Sequence, residues 1–532
     1  MNRSLAQSLQ QVAALLQRGD AAGAYAACKP LTEQAPGEAN VWYLLGMAAS
    51  RMGRGEEALS CLDRALAIRP QGPIMRMHRG QVRCALGRMQ EGLDDLREAV
   101  RLKPDLAEAQ EALTATLANL GRHGEAIEAC RAALERMPGQ VGIRARLADL
   151  LEQKSRLDEA AREAEAVLRI RPGDGRAQFI LARVEARRGE LASARDRLQA
   201  LLAQRLPSQQ VSAIAGALAR VQERLGEFDA AFEAAEQANR ATLEMVPPPL
   251  REDDRFLHRI ETCRKVCAAE RLAEWAGEAP DDGIEAPLFL VGFPRSGTTL
   301  TEQILTASGQ VYPSDEQPIL PRLIEELGNY PDCLAGLTAE DVVRLRRRYF
   351  EIAESLCGPL PADQRFLDKL PLNIVDLGLI VRLFPEAKVL VLLRDPRDAC
   401  LSCVFNQFVP NEAMIHFTSV ERTGRLYAAV MGLWLHYREI LPLAFRELRY
   451  EDLVEGFEGQ ARALLDFFGL AWTPAVLRFH EQVGERDVRT PSYAAISNPV
   501  SNKAVGRWRN YRNQLQPLMQ YVDPFVEEFG YR

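Results

Sequence analysis

The chain has 532 residues, of which 47% are hydrophobic and 26% charged, with a formal net charge of −7. This composition is typical of globular proteins and excludes the disordered and collagen-like classes. The acidic balance argues against a general nucleic-acid binder. Ten cysteines are too few for a disulfide framework and suit a reducing compartment.

The sequence contains no apolar run near the roughly 18 residues that span a bilayer. The apolar residues after Arg3 are interrupted by Gln7, Gln10 and Gln11, and no small-residue cleavage site follows. We therefore expect a cytoplasmic protein without a membrane partner.

A 34-residue period runs through the first 240 residues. It is marked by prolines and glycines in two fixed series: Pro36, Pro70, Pro104, Pro138, Pro172, and Gly19, Gly53, Gly87, Gly121. The segment 42–46, with Gly53, Ala58 and Pro70 after it, resembles a tetratricopeptide repeat, a pair of antiparallel helices. Stacked pairs form a superhelix with a concave face for a peptide or partner protein.

The pattern predicts an all-α repeat array of about six units over residues 1–243. Pro247–Pro249 stop the last repeat helix, and the predicted helical linker covers residues 244–286. Cys263 and Cys267, one helical turn apart, are interpreted as packing residues because no further metal ligands have matching spacing.

The C-terminal half begins with the pattern strand, glycine-rich loop, helix. An apolar strand over 287–292 precedes the loop 293–299, and a helical pattern runs on from Leu300. Such a loop presents backbone N–H groups and the positive helix end to an anion. The Gly292–Gly297 spacing matches a nucleotide P-loop, but Thr298 replaces the lysine that contacts the β- and γ-phosphates. This disfavours a kinase or ATPase.

The run 294–300 resembles the 5′-phosphosulfate loop of sulfotransferases, which use 3′-phosphoadenylyl sulfate (PAPS). The form with Arg at position 295 is most similar to the tyrosylprotein and bacterial repeat-containing branches. The resemblance implies an α/β P-loop-like domain with a central parallel sheet over 287–532. It also implies a set of residues that hold the 5′-phosphosulfate: Arg295, Ser296, Gly297, Thr298 and Thr299.

A second strand, 388–393, ends at Arg394, and a helix starting near Pro396 carries Ser402. These two residues resemble the family's pair for the 3′-phosphate, which needs a guanidinium and a hydroxyl donor. Asn406 departs from the tyrosylprotein enzymes, which carry a further arginine there. The pair Cys400 and Cys403 on this helix is interpreted as packing.

The segment 314–317 resembles the family's general-base segment, with Glu316 as the base and Asp315 as its alternative. A phenol, with a pKa of about 10, attacks only after its proton is taken. None of the six histidines lies in this segment.

Three further segments complete the resemblance. Lys369 would stabilise charge on the bridging oxygen, and Tyr450 would contact the nucleotide. In the closing loop, Arg507 would meet the 3′-phosphate and Ser492 would lie beside the bridging oxygen. The implied reaction is metal-free in-line transfer of a sulfuryl group to a hydroxyl acceptor.

Several alternatives remain open at this stage. The acceptor could be a peptide tyrosine, a glycan or a small metabolite, and the oligomeric state is not specified. A P-loop kinase for small molecules conflicts with the missing lysine. A repeat scaffold with an inactive nucleotide fold conflicts with the retained Arg295, Glu316, Lys369 and Arg394.

Overall fold

A computed structural model describes residues 3–252, 254–278, 280–483 and 500–532. The chain divides into two compact units, Met1–Leu201 and Leu202–Arg532. The repeat pattern places the domain boundary after residue 243, whereas this division groups the last predicted repeat with the C-terminal unit. The domain limits stay a prediction.

The first unit is all-α, in agreement with the predicted array. Its helices are α1 Arg3–Gln17, α2 Ala21–Cys28, α3 Leu31–Gln34, α4 Ala39–Arg51, α5 Gly55–Ile68, α6 Pro73–Ala85, α7 Met89–Leu102, α8 Ala107–Asn119, α9 His123–Arg136, α10 Val141–Gln153, α11 Leu157–Ile170, α12 Gly175–Arg188 and α13 Leu191–Leu202.

The regular spacing of small residues has a direct packing reason. A Cβ on Gly46 would lie 3.1 Å from the carbonyl oxygen of Ala58, tighter than most Cβ contacts, so glycine there lets α4 and α5 approach closely. Gly53, between the two helices, has φ 75°, a left-handed conformation that glycine adopts without strain. Ser155 takes the same role in a later unit, with φ 61°.

The core of the array repeats with the sequence period. Side chains 34 residues apart are each fully buried: Ala65, Ala99, Ala133 and Val167. One helix pair cannot cover its own apolar face, so stacked pairs bury it jointly.

The second unit opens with a longer helical hairpin, α14 Ser208–Leu225 and α15 Phe228–Met245, of 18 residues each. The preceding repeat helices α10 and α11 have 13 and 14 residues. These longer helices account for the loss of the 34-residue register. The linker helices follow: α16 Pro248–Arg251, α17 Arg255–Val266 and α18 Ala269–Gly277.

A five-stranded parallel sheet forms the centre of the second unit, in the order β2-β3-β1-β4-β5. Its strands are β1 Leu288–Gly292, β2 Val311–Pro313, β3 Arg365–Lys369, β4 Lys388–Leu393 and β5 Ala444–Arg449. The parallel sheet of the predicted α/β domain is therefore confirmed.

Helices cover both faces of the sheet, as burial of a parallel sheet requires. Leu290 and Leu390 pack in one cluster with Ile304 and Leu464, while Phe289 on the opposite face contacts Phe384, with ring centroids 6.1 Å apart. The remaining helices are α19 Thr298–Thr306, α20 Ile319–Leu327, α21 Ala339–Cys357, α22 Leu377–Leu383, α23 Pro396–Val404, α24 Val420–Ile440, α25 Tyr450–Glu455, α26 Phe457–Phe468, α27 Phe479–Val483 and α28 Gln516–Glu528.

Two expectations about individual segments can be compared with the structure. No helix within the described ranges is long and apolar enough to cross a membrane. All ten cysteines are free thiols. Cys263 and Cys267 are buried, and burial raises the pKa of the Cys267 thiol to about 11.

Candidate active site

Each strand of the sheet delivers one predicted site residue at its carboxyl end. Arg295 follows β1, Glu316 follows β2, Lys369 ends β3, Arg394 follows β4 and Tyr450 follows β5. Because the strands are parallel, these five ends meet at one edge, which is where open α/β sheets bind ligands.

The loop between β1 and α19, which is predicted to bind an anion, has an unusual backbone. Gly297 has φ 100° and Arg295 has φ 70°, so two positions of the loop are left-handed. A Cβ on Gly297 would lie 2.6 Å from Cδ2 of Tyr450, which leaves glycine as the residue that fits. Thr298 and Thr299, both buried, form the first turn of α19.

Arg394 connects this loop with the C-terminal segment. Its Nη1 donates to the carbonyl oxygen of Arg295 at 2.8 Å, and its Nη2 donates to that of Ala504 at 2.6 Å. Its guanidinium lies 4.9 Å from the Tyr450 ring centroid. Its buried Nε has no hydrogen-bond partner among the described residues. Arg394 is thus a fixed cation whose Nε–H is still available to a ligand.

Ser402 lies beside the same loop. Its hydroxyl accepts from Nε of Arg295 at 3.1 Å, and its carbonyl accepts from the amide of Asn406 at 2.9 Å. The side chain of Asn406, which stands where the tyrosylprotein enzymes have a further arginine, therefore bonds to the backbone of α23.

The segment around Arg507 is held by an acidic side chain that the sequence analysis did not single out. Asp398 in α23 accepts from the backbone N–H of Gly506 at 2.6 Å and of Trp508 at 2.7 Å. The Arg397 guanidinium lies 3.8 Å from the Trp508 ring centroid. The sequence signal that could have identified Asp398 is its position as an acidic residue in the first helical turn after Arg394.

The Arg507 side chain is fixed from two sides. Its guanidinium donates to both carboxylate oxygens of Glu223, with Nη2 to Oε2 at 3.0 Å. It also lies 4.7 Å from the ring centroid of Phe405. Glu223 belongs to α14, which lies in the predicted repeat region. This region therefore supplies the carboxylate that holds Arg507, a residue predicted to bind the 3′-phosphate.

Lys369 lies between two carboxylates. Its Nζ is 2.5 Å from Oε1 of Glu316 and 3.1 Å from Oε2 of Glu302, a residue of α19. The Lys369 and Glu302 side chains are both fully buried. Burial acts to lower the pKa of Lys369, but the two carboxylates outweigh it and raise that pKa. Burial raises the pKa of Glu302 to about 7, against the opposing effect of Lys369.

The backbone before Glu316 is unusual. Asp315 and Glu316 have φ 50° and 62°, a conformation that L-residues adopt rarely. The turn is fastened to β3, since Ser314 donates its N–H to Leu367 at 2.9 Å and its hydroxyl accepts from the N–H of Lys369 at 2.9 Å. The Glu316 side chain stays about one-third exposed, at 32%.

One cavity of about 1310 Å³ brings most of the predicted residues together. The residues concerned are Arg295, Gly297, Thr298, Thr299, Glu316, Arg394, Ser402, Tyr450 and Arg507. Ser296 and Lys369 are buried behind this lining. Ser492 lies outside the described residues. The volume exceeds the roughly 300–1,000 Å³ of a pocket for one small ligand.

The remaining lining of this cavity is mainly apolar. It includes Pro318, Ile324, Leu372, Phe408 and Met414. Its charged members are Glu325, Glu412, Asp376, Arg259 and Lys503. Arg259 is already engaged, with Nη2 2.6 Å from the Asp376 carboxylate and Nη1 3.6 Å from Glu412.

Comparison with known proteins gives matches in both halves of the chain. A model described as Sulfotransferase family matches residues 287–474. Two models described as Tetratricopeptide repeat match residues 15–81 and 117–178, and 78–141.

Individual relatives are distant. An uncharacterized protein of Aquifex aeolicus (strain VF5) is 29% identical over 62% of this chain and 45% of its own length. A protein-tyrosine sulfotransferase of Drosophila melanogaster is 27% identical over 46% of this chain and 52% of its own. The chain therefore spans about half the length of these two relatives. A tetratricopeptide repeat protein from Parabacteroides merdae covers 44% of this chain and 93% of its own, with 18% identity and a TM-score of 0.38.

The site and these matches define a class: an anion-cradle α/β domain joined to helical repeats. The chain combines tetratricopeptide repeats with a domain of the sulfotransferase family.

Proposed function

We propose that the protein transfers a sulfuryl group from PAPS to a hydroxyl acceptor. The observation that carries this proposal is the set of fixed cations around the loop after β1. Arg295, Arg394 and Arg507 line the same cavity as Glu316. An anionic donor bound by these arginines would therefore lie in the same cavity as the base that activates the acceptor.

The described residues fit a donor with phosphate groups at both ends. The loop 295–299 would hold the 5′-phosphosulfate, with its N–H groups at the start of α19. Arg394, whose buried Nε lacks a partner among the described residues, would hold the 3′-phosphate together with Ser402 and Arg507. Tyr450, which packs against Arg394, would contact the nucleotide. PAPS supplies the sulfuryl group when bound.

Glu316 would act as the general base. It would take the proton of the acceptor hydroxyl as the acceptor oxygen forms its bond to sulfur and the bond from sulfur to the phosphate oxygen breaks. The products are the sulfate ester and 3′,5′-ADP. Lys369 and Arg295 would stabilise the negative charge on the departing phosphate oxygen, with Ser492 of the closing loop as a further donor. These cations supply the charge that metal ions supply in phosphoryl transfer.

The apolar lining favours a phenolic acceptor, such as a tyrosine side chain or a small phenol. Ile324, Leu372 and Phe408 line the cavity and would offer apolar contacts to a ring. A glycan would need many polar partners, because each buried hydroxyl without one costs free energy. The repeat array would bind a protein or peptide on its concave face, either the acceptor itself or another partner.

Incubation of the full chain with sulfur-labelled PAPS and a set of phenols tests the proposal. We expect labelled sulfate ester and an equal amount of 3′,5′-ADP, with or without EDTA. Phosphorylation of the acceptor by ATP would instead support the P-loop kinase alternative. Nucleotide binding without any transfer would support the inactive scaffold.

A further inference from the structure

Glu302 is a buried carboxylate at the centre of the site that the proposed reaction does not use. It lies in α19, one turn after the anion loop, and its side chain is fully buried. A carboxylate in such a place is costly unless a cation compensates it. That cation is Lys369, whose Nζ lies 3.1 Å from Oε2 of Glu302.

The same ammonium group also holds the proposed base. Oε1 of Glu316 lies 2.5 Å from Nζ of Lys369, so one of the two carboxylate oxygens is engaged by the ammonium. When Glu316 takes the acceptor's proton it loses its negative charge and no longer compensates Lys369. If Lys369 had one counter-ion, this step would strand a fully buried ammonium, which is strongly unfavourable.

We propose that Glu302 is a positioning residue that keeps the Lys369 ammonium compensated and in place while Glu316 takes the proton of the acceptor. The inference rests on the proposed sulfuryl transfer. Glu302 touches neither donor nor acceptor, and it acts through Lys369. Two carboxylates sharing one ammonium allow Glu316 to lose its charge at small cost.

The surroundings of Glu302 support this role. Lys369 on β3 faces it, and Asp315 and Glu316, from the turn after β2, also act on its charge. Burial and these two acidic neighbours raise the pKa of Glu302 to about 7, while Lys369 acts in the opposite direction. Near neutral pH the ionised form of Glu302 therefore depends on the neighbouring Lys369 ammonium.

The test is Glu302→Gln in the full chain, an isosteric change that removes the charge. Lys369 would then pair with Glu316 alone and hold it. We expect kcat to fall by about 10- to 100-fold, part of the usual worth of a general base. The pH profile of kcat/KM should be displaced, since the variant lacks the Glu302 carboxyl, whose pKa burial raises to about 7. The Kd for 3′,5′-ADP should stay within about twofold, and Glu302→Asp should restore part of kcat.

Asp368→Asn is the matched control. Asp368 is a fully buried carboxyl on the same strand, bonded to the hydroxyl of Tyr349 at 2.6 Å and to Asn373 at 3.2 Å. We expect no displacement of the pH profile in this variant.

Three results would overturn the inference. The first is a Glu302→Gln enzyme with unchanged kcat and pH profile. The second is an equal displacement of the pH profile in Asp368→Asn. The third is a parallel loss of 3′,5′-ADP affinity and melting temperature in Glu302→Gln, which would mean a purely structural role. A wild-type chain that transfers no sulfuryl group to any phenol would instead overturn the proposed function, and this inference with it.

Discussion

Glu223 of α14 and Arg507 of the C-terminal segment form a two-point ion pair within the second unit. The hydroxyl of Tyr511 also donates to Glu223, at 3.0 Å. Beside this pair, Phe232 packs against Phe405 with ring centroids 6.1 Å apart. The helical hairpin α14–α15 is therefore part of the second unit, although the sequence pattern predicts it to be the last repeat.

This contact predicts where the chain can be shortened. A fragment of residues 202–532 keeps the hairpin and should fold and bind 3′,5′-ADP. A fragment of residues 246–532 exposes Phe405 and Tyr511, and exposing each large side chain lowers the free energy of unfolding by about 1.5–3 kcal/mol. The same fragment leaves Arg507 without Glu223. We expect the shorter fragment to melt several degrees lower or to aggregate, as measured by calorimetry and light scattering. Equal melting temperatures would mean that the hairpin is dispensable.

Arg394→Ala should weaken binding of 3′,5′-ADP by well over tenfold. Truncating one side of a buried charge pair costs about 2–5 kcal/mol, and Arg394 also fixes the carbonyls of Arg295 and Ala504. Titration calorimetry with 5′-AMP is the control, since that ligand lacks the 3′-phosphate and should lose much less affinity. An equal loss for both nucleotides would mean that Arg394 only holds the loop.

Glu316→Gln should lower kcat by about 10²–10⁴-fold, the usual worth of a general base. Affinity for 3′,5′-ADP should be nearly unchanged, because the substitution keeps the shape of the side chain. Asp315→Asn is the comparison variant and should stay active. If the asparagine variant at 315 is inactive and the glutamine variant at 316 is active, the base is Asp315.

The stability of the second unit should depend on pH through Glu302. Its pKa is raised from 4.5 to about 7 in the folded chain, so the folded state binds more protons than the unfolded state between those values. Stability therefore falls as pH rises from about 5 to 7, by an amount on the order of 3 kcal/mol at 1.36 kcal/mol per pKa unit. Thermal melts of Glu302→Gln should show a weaker decline over this range than the wild type. Identical declines would mean that another group is responsible.

Acidic acceptors should be poor substrates. Glu325 lines the cavity, and Arg259 is already engaged by Asp376 and lies 3.6 Å from Glu412. A tyrosine peptide with neutral or basic neighbours should therefore have a higher kcat/KM than one with acidic neighbours, since like charges placed together are unfavourable. Glu325→Gln should narrow the difference. A preference for the acidic peptide would contradict this interpretation of the lining.

Much of this arrangement can be predicted from the sequence because it depends on local patterns. The repeat period gives helix length and stacking, since each unit packs against the next in the same way. The loop 293–299 and the residue after each strand can be placed because the strand ends of a parallel sheet share one edge.

The contacts that could not be predicted join segments far apart in the chain. Glu302 has the appearance of an ordinary polar residue of a helix, and its pairing with Lys369 depends on the position of β3 beside β1. Asp398 and Glu223 find their partners more than a hundred residues away. Such pairings follow from tertiary packing, for which a single sequence carries no periodic signal.

Binding of 3′,5′-ADP measured by titration calorimetry in EDTA tests the central claim most directly, because it requires no knowledge of the acceptor. The account predicts saturable binding of 3′,5′-ADP that survives EDTA, weaker binding of 5′-AMP, and loss of the difference between them in Arg394→Ala. Tighter binding of ATP that requires Mg²⁺, or no binding of 3′,5′-ADP, would contradict it.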